Sequence, residues 1–336
     1  MFSAKTRKLL PLYCVLLSVV IFICAIIFFP DSKQGLPPVF RPFKKDTVAP
    51  TITLEGDSFI ILNAGQPFEE AGYTAIDDID GDITYDVTPP VLPDTYSAGT
   101  HELLYTVCDS SGNSASAKRI ILIKNISDNQ KHNKTVYLTF DDGPCIYTEP
   151  ILDILKKYNV KATFFVTAQK PEYSFVMKRI VDEGHAIAAH TYTHLYDIYK
   201  SKEAYFADLD KINNLIYEQT GEYTAMVRFP GGSSNLVSKK HKIGIMTELI
   251  PEMHRKGYVY FDWDVDSRDT QTTDPKKIAK NVTSNLKSDS SIVLMHDLKK
   301  ANLESLPIII EYCLKNGYTF APLNDGTRAV HHTPNN

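Results

Sequence analysis

From residue 134 onward, seven short apolar runs alternate with six stretches of helical pattern, and this alternation restricts the chain to architectures built from parallel βα units. The runs cover 136–140, 162–166, 185–189, 225–227, 258–261, 291–295 and 318–320. The helical stretches cover 149–158, 172–183, 203–219, 238–256, 276–287 and 303–316. The runs are continuously apolar rather than alternating, as strands buried on both faces are. A barrel and a doubly wound sheet both fit. No glycine-rich fingerprint follows any run, so no nucleotide cofactor is expected.

The polar residues fall on this map in an ordered way. Asp141 and Asp142 follow the first run, His190 and His194 the third, and Arg228 the fourth. Asp264, Asp266 and Asp269 follow the fifth, and His296 with Asp297 the sixth. All sit just past the C-terminal ends of strands, the rim on which α/β barrels build active sites. Structural polar residues scattered for packing have no reason to share one rim.

Two histidines at i and i+4 aim their rings at one point when the segment turns helically. With one carboxylate they make three ligands and leave a position open, the pattern of catalytic zinc. Adjacent aspartates point in different directions, so one carboxylate on a metal and its neighbour on the attacking water is the economical division. An ordinary Asp-Asp-Gly-Pro turn is the plain alternative for residues 141–144. Arg228 near Asp141 would keep that carboxylate ionised. The unperturbed pKa of a histidine lies near neutrality, which makes His296 a candidate general acid, with a packed, hydrogen-bonded histidine as the plain alternative. Cys145 reads as a small buried residue, with a soft metal ligand as the alternative.

The rest of the chain attaches to this domain. Residues 9–29 are almost purely apolar and follow Lys5, Arg7 and Lys8. About 20 residues at 1.5 Å rise span a hydrocarbon core of about 30 Å, and the flanking charge places the N-terminus in the cytoplasm. The run ends Ile26-Ile27-Phe28-Phe29-Pro30 with no small-residue cleavage site, which favours an uncleaved single-pass anchor in the cell membrane over a signal peptide. Residues 31–45, rich in proline and basic side chains, read as a stiff spacer. Residues 46–125 hold short β-rich runs separated by turn signals, the pattern of a β-sandwich. Between residues 48 and 124 there are 12 Asp+Glu against 3 Lys+Arg. The cluster Asp77, Asp78, Asp80 and Asp82 reads as a solvated acidic turn, with calcium binding as the alternative. Residues 126–133 are taken as a linker, 134–325 as the βα domain and 326–336 as a tail.

Composition narrows function by exclusion. The chain has 336 residues and a net charge of -4, without the basic stripe of a nucleic-acid binder. Its five cysteines include no CxxC, so a cysteine-built zinc site is not expected.

Five segments together resemble the ordered motifs of polysaccharide deacetylases, enzymes with a NodB homology domain grouped as carbohydrate esterase family 4. They are Thr139-Phe140-Asp141-Asp142-Gly143-Pro144, His190-Thr191-Tyr192-Thr193-His194, Arg228-Phe229-Pro230-Gly231-Gly232, Asp266-Ser267-Arg268-Asp269-Thr270 and Leu294-Met295-His296. The segments Asp46-Thr47-Val48-Ala49-Pro50, Asp80-Gly81-Asp82-Ile83-Thr84 and Asp109-Ser110-Ser111-Gly112-Asn113 resemble bacterial Ig-like surface modules. The first resemblance implies a distorted (β/α) barrel holding one divalent metal ion on Asp142, His190 and His194, zinc foremost, with cobalt, manganese or nickel as alternatives. It implies Asp141 as general base tethered by Arg228. His296 would be the acid, oriented by Asp269 or, as second choice, Asp266. Leu294 would line the acetyl pocket and the backbone N–H of Gly231 would serve the oxyanion. The family's third motif often carries Tyr where Gly231 stands, and its fourth often ends in Trp where Thr270 stands; Trp263 is a partial substitute.

An anchored enzyme of this kind facing outward implies a cell-wall glycan substrate, with N-deacetylation of N-acetylglucosamine in peptidoglycan as the expected reaction. An O-acetyl esterase on wall or plant polysaccharide and a non-catalytic wall-binding protein are the alternatives.

Overall fold

The computed structural model describes residues 46–124 and 134–336. The apolar run at 9–29, the spacer at 31–45 and the linker at 126–133 lie outside the described residues. Among the described residues, no helix is long and apolar enough to cross a membrane.

The first part is a sandwich of two three-stranded sheets. Its strands are β1 (Thr51–Leu54), β2 (Phe59–Asn63), β3 (Tyr73–Asp77), β4 (Gly81–Asp82), β5 (Gly99–Cys108) and β6 (Ser114–Lys124). The sheets run β1-β3-β4 and β2-β6-β5. Leu103, Tyr105 and Val107 alternate along β5 and point inward with Ala75, Ile121 and Ile123, as a pleat requires. Asp109 closes the β5–β6 hairpin by accepting the N–H groups of Ser111 and Asn113. The acidic turn is less solvated than its composition suggests: Asp77 is buried and accepts the N–H groups of Ile79 and Asp80, while the Asp80 carboxylate accepts the N–H and hydroxyl of Ser110.

The second part is a barrel of eight strands: β7 (Thr135–Asp141), β8 (Thr163–Val166), β9 (Ala186–Ala189), β10 (Met226–Val227), β11 (Val259–Tyr260), β12 (Val265–Asp266), β13 (Ser290–His296) and β14 (Thr319–Phe320). The order is β11-β10-β9-β8-β7-β13-β12, with β14 beside the start of β7, and every ladder is parallel. The barrel is distorted because its edges, β11 and β12, are joined by residues 261–264 rather than by a ladder. The pattern in the sequence did not show β12, whose two residues include an exposed aspartate.

The surrounding helices are α1 (Thr148–Tyr158), α2 (Val176–Asp182), α3 (Lys202–Thr220), α4 (Ser238–His241), α5 (Ile245–Arg255), α6 (Pro275–Thr283) and α7 (Lys300–Lys315). The stretch at 238–256 is thus two helices, separated at 242–244. Side chains of successive strand residues go to opposite faces. Val293 and Met295 join the outer core beneath the helices, whereas Ile292 joins Tyr137, Phe165, Ala188 and Phe261 inside the barrel. Leu294 and His296 continue the inner row of β13, and Asp141 ends the inner row of β7 as the register partner of His296.

The sandwich docks against the end of the barrel where the strands begin. Ile61 of β2 belongs to the barrel's own hydrophobic core, and the Phe59 ring stacks on Tyr223 at 5.0 Å. Lys124 Nζ donates to the Gly257 carbonyl at 2.9 Å, and Lys256 pairs with Asp57 at 2.7 Å. Gly257 has φ +81, and a Cβ there would lie 2.9 Å from Ile61 Cβ and 3.0 Å from its carbonyl oxygen. Only glycine permits this approach without strain. Gly257→Val is therefore expected to cost about 2–4 kcal/mol through overpacking and a left-handed backbone. A thermal melt reads this as a lower midpoint; a midpoint equal to wild type would mean that the contact does not couple the two parts.

Candidate active site

Strand ends at the opposite mouth bring the predicted side chains together. Asp141, nearly fully buried, receives Arg228 Nη1 on Oδ1 at 2.7 Å. Its Oδ2 stands 3.7 Å from His190 Nε2. Arg228 is buried completely and its other donors are also used: Nη1 reaches the Thr139 hydroxyl at 2.7 Å, Nε the Phe261 carbonyl at 2.9 Å and Nη2 the Asp262 carbonyl at 3.3 Å. Its guanidinium lies over the Phe165 ring at 4.0 Å. A buried ion pair is stable only when its remaining hydrogen-bonding capacity is filled, and that condition is met here.

Asp142 turns away from its neighbour because its backbone is left-handed, with φ 77. Its Oδ1 sits 3.5 Å from His190 Nε2 and 3.2 Å from His194 Nε2. Two more left-handed residues, Thr191 (φ 67) and His194 (φ 54), shape the histidine loop. Such conformations persist only when surroundings over-determine them. The determinant is Asp208 on α3, which accepts the N–H groups of Tyr192 and Thr193 and the Thr193 hydroxyl.

These three residues fit a metal ion. Their ligand atoms all lie within 4.8 Å of one another. Asp142 Oδ1 is buried without a hydrogen-bond partner, which is costly unless something charged completes it. His190 donates Nδ1–H to the Arg228 carbonyl at 2.8 Å, so its Nε2 carries the lone pair that faces the group. Burial and the neighbouring His190 lower the His194 pKa, which keeps that ring neutral as a ligand must be. One carboxylate and two imidazoles suit zinc and its borderline neighbours.

Beside Asp141, on the neighbouring strand β13, His296 Nδ1 bonds Asp269 Oδ1 at 2.8 Å, and its backbone N–H donates to Asp269 Oδ2 at 2.7 Å. Burial alone would lower the His296 pKa, but the bond and charge of Asp269, with the charges of Asp141 and Asp142, push it up to about 9. Asp269 is selected over Asp266, which is exposed and caps the Arg268 N–H. Asp264 is elsewhere, bound to the Ile292 N–H and to Lys287. Asn302 on α7 holds Asp269 Oδ2 at 2.6 Å. Neither Asp208 nor Asn302 carries a signal in the sequence, since each is a single polar residue on a helix.

The remaining residues line or support the mouth. Leu294 is buried one pleat below His296. Gly231 is exposed, and among the described residues no acceptor takes its N–H. Trp263 is half-buried with its ring 5.7 Å from the Arg228 guanidinium. Cys145 is not part of the metal group: its Sγ–H donates to the Asp297 carbonyl at 3.0 Å, and burial raises its pKa. Asp297 is also buried, takes a hydrogen bond from the Thr148 hydroxyl and is pushed up to about 7, mainly by burial.

Both parts of the chain resemble known proteins. Residues 128–246 match the family model described as polysaccharide deacetylase, and residues 52–123 match that of a bacterial surface protein Ig-like domain. The chain is 33% identical over 220 residues to a putative polysaccharide deacetylase, YheN, of Bacillus subtilis, covering 63% of this chain and 75% of the relative. It is 32% identical over 200 residues to a peptidoglycan-N-acetylglucosamine deacetylase of Bacillus cereus, covering 57% and 70%. Among solved structures, the catalytic domain of a peptidoglycan N-acetylglucosamine deacetylase from Eubacterium rectale superposes with a TM-score of 0.61 at 44% identity, covering 62% of this chain and 96% of that one.

Proposed function

Since this chain belongs to the polysaccharide deacetylase family and is a hydrolytic deacetylase, we propose that it removes N-acetyl groups from N-acetylglucosamine residues of peptidoglycan, releasing acetate. The observation that carries this reading is the pairing of a buried, Arg-held Asp141 with its register partner His296, itself held by Asp269, beside the Asp142, His190 and His194 group. The named substrates of the Bacillus cereus and Eubacterium rectale relatives support the glycan. The apolar run at 9–29 supports attachment to the cell membrane with the enzyme outside.

Asp142, His190 and His194 would hold a divalent metal ion, zinc foremost, which when bound polarises the acetyl carbonyl and acidifies water. Asp141 takes the proton of the attacking water as the new C–O bond forms. Arg228 pairs with that carboxylate and fixes its direction, and catalysis by a positioned base depends on such a fixed direction. The exposed Gly231 N–H is free to donate to the developing oxyanion. His296 gives its proton to the sugar nitrogen as the C–N bond breaks, so that a free amine leaves and acetate remains. Leu294 bounds the space for the acetyl methyl group.

Acetate and free-amine release from purified peptidoglycan, with and without a chelator, tests the reading. Chelator-sensitive acetate with a matching rise in amines supports it. Acetate without new amines would indicate ester cleavage instead, and no acetate from folded, metal-loaded protein would favour a wall-binding role.

The proton carried by His296 also predicts a pH profile. It is held through neutrality and lost as pH rises toward about 9, so the rate falls on the alkaline side. A bound cation offsets the charges of Asp141 and Asp142 and brings that limb below about 9. In Asp269→Asn the raising partner is gone and burial dominates, so the alkaline limb should move to lower pH and the neutral rate drop about 10²-fold. Superimposable profiles for the two proteins would remove Asp269 from this role.

A further inference from the structure

Residues 329–336, within the stretch 326–336 read as a tail, carry no pattern in the sequence, and their contacts lie along the open seam of the barrel. The Asp262 N–H, in the segment that joins β11 to β12, donates to the Val330 carbonyl at 2.9 Å. His331 stacks on Tyr260 of β11 with centroids 3.9 Å apart. His332 is the centre of the arrangement. Its Nε2–H donates to the Trp263 carbonyl at 2.6 Å, its backbone N–H donates to Asp262 Oδ2 at 2.8 Å, and its ring meets the Trp263 ring edge-on at 4.8 Å. The Ser234 hydroxyl faces His332 Nδ1 at 3.3 Å, and the Ser233 hydroxyl donates to the His332 carbonyl at 3.2 Å. Asn336 then ties the end of the chain to the Ser238 hydroxyl, the Lys242 carbonyl and the Gly244 N–H.

The residues gripped by this strap are the ones next to the chemistry. Asp262 is completely buried, and its Oδ1 accepts the Ser233 N–H at 2.8 Å while its carbonyl accepts from Arg228. Gly232, with φ +80, packs so close to the Trp263 ring that a Cβ would lie 2.9 Å from it. The loop at 231–233, Trp263 and the arginine that aims Asp141 therefore share one clamp. The edges of the barrel supply no ladder here, so something else must fix their separation.

We infer that the C-terminal strap substitutes for the missing β11–β12 ladder and that His332 is a positioning residue, which sets the place of Trp263 and of the Gly231 N–H relative to Asp141. The inference rests on the deacetylase reading for its kinetic part only. A shift of about 1 Å at a donor of this kind costs up to about 10²-fold in rate.

The test uses all 336 residues and the single tryptophan among them, so that fluorescence excited at the red edge, where tyrosine does not absorb, reports Trp263 alone. His332→Ala should change the Trp263 emission and lower kcat about tenfold with KM within about twofold. Metal content should stay at the wild-type level, because none of the three ligands touches the strap. His332→Gln, whose amide nitrogen can reach the Trp263 carbonyl, should recover both emission and kcat. Truncation after Arg328 should lose at least as much activity as His332→Ala. Emission and kcat of His332→Ala equal to wild type would overturn the inference, as would full kcat in the truncated chain or a Gln variant as impaired as Ala. Emission is read without turnover, so an inactive wild-type protein would count against the deacetylase reading while the strap is still tested.

Discussion

Replacing Asp141 by Asn is expected to lower kcat for acetate release by about 10²- to 10⁴-fold, the share carried by a positioned general base. Asn keeps an acceptor for Arg228 Nη1 but cannot take a proton. The Arg228 charge loses its counter-charge, yet the guanidinium retains the Thr139 hydroxyl and the Phe261 and Asp262 carbonyls. The stability loss should therefore stay below the about 3–5 kcal/mol seen when one partner of a buried pair is deleted. Metal content and glycan binding should survive, which separates catalysis from adhesion. Acetate release above about a tenth of wild type would exclude Asp141 as the base.

His194→Ala should be more damaging still. It removes one of three ligand atoms and leaves Asp142 Oδ1, buried and without a hydrogen-bond partner, facing a single imidazole. Metal should be lost on dialysis, and kcat/KM should fall by at least about 10³-fold, because the carbonyl is then unpolarised and the water unacidified. Elemental analysis of the dialysed protein beside the acetate assay checks both. A variant that keeps one metal per chain and turns over at near the wild-type rate would show that the ion is held elsewhere.

Much of this site could be read from the chain because parallel strands buried on both faces write themselves as apolar runs, and catalytic residues of such folds collect where the runs stop. The register pairing of Asp141 with His296 turns two residues 155 positions apart into neighbours, and both were visible at their strand ends. The supporting contacts were not visible. Asp208 and Asn302 are lone polar residues in helices whose pattern is set by burial, and their roles exist only through tertiary contacts. The two-residue β12 is too short for any periodicity. Phe59 and Ile61 looked like ordinary strand residues of a self-contained sandwich, and nothing in their spacing indicates that one joins the barrel's core.

That last feature changes what counts as a separable piece of this molecule. Cutting between the sandwich and the barrel would uncover Phe59 and Ile61 on one side and Tyr223 and Tyr258 on the other. An isolated barrel would carry a fresh apolar surface at the end remote from its mouth, and self-association there would leave the catalytic groups intact while depleting soluble enzyme. Recombining this barrel with a foreign surface module would meet the same obstacle, since Gly257 is fitted to Ile61. The smallest portable unit is thus the pair, inherited or grafted together.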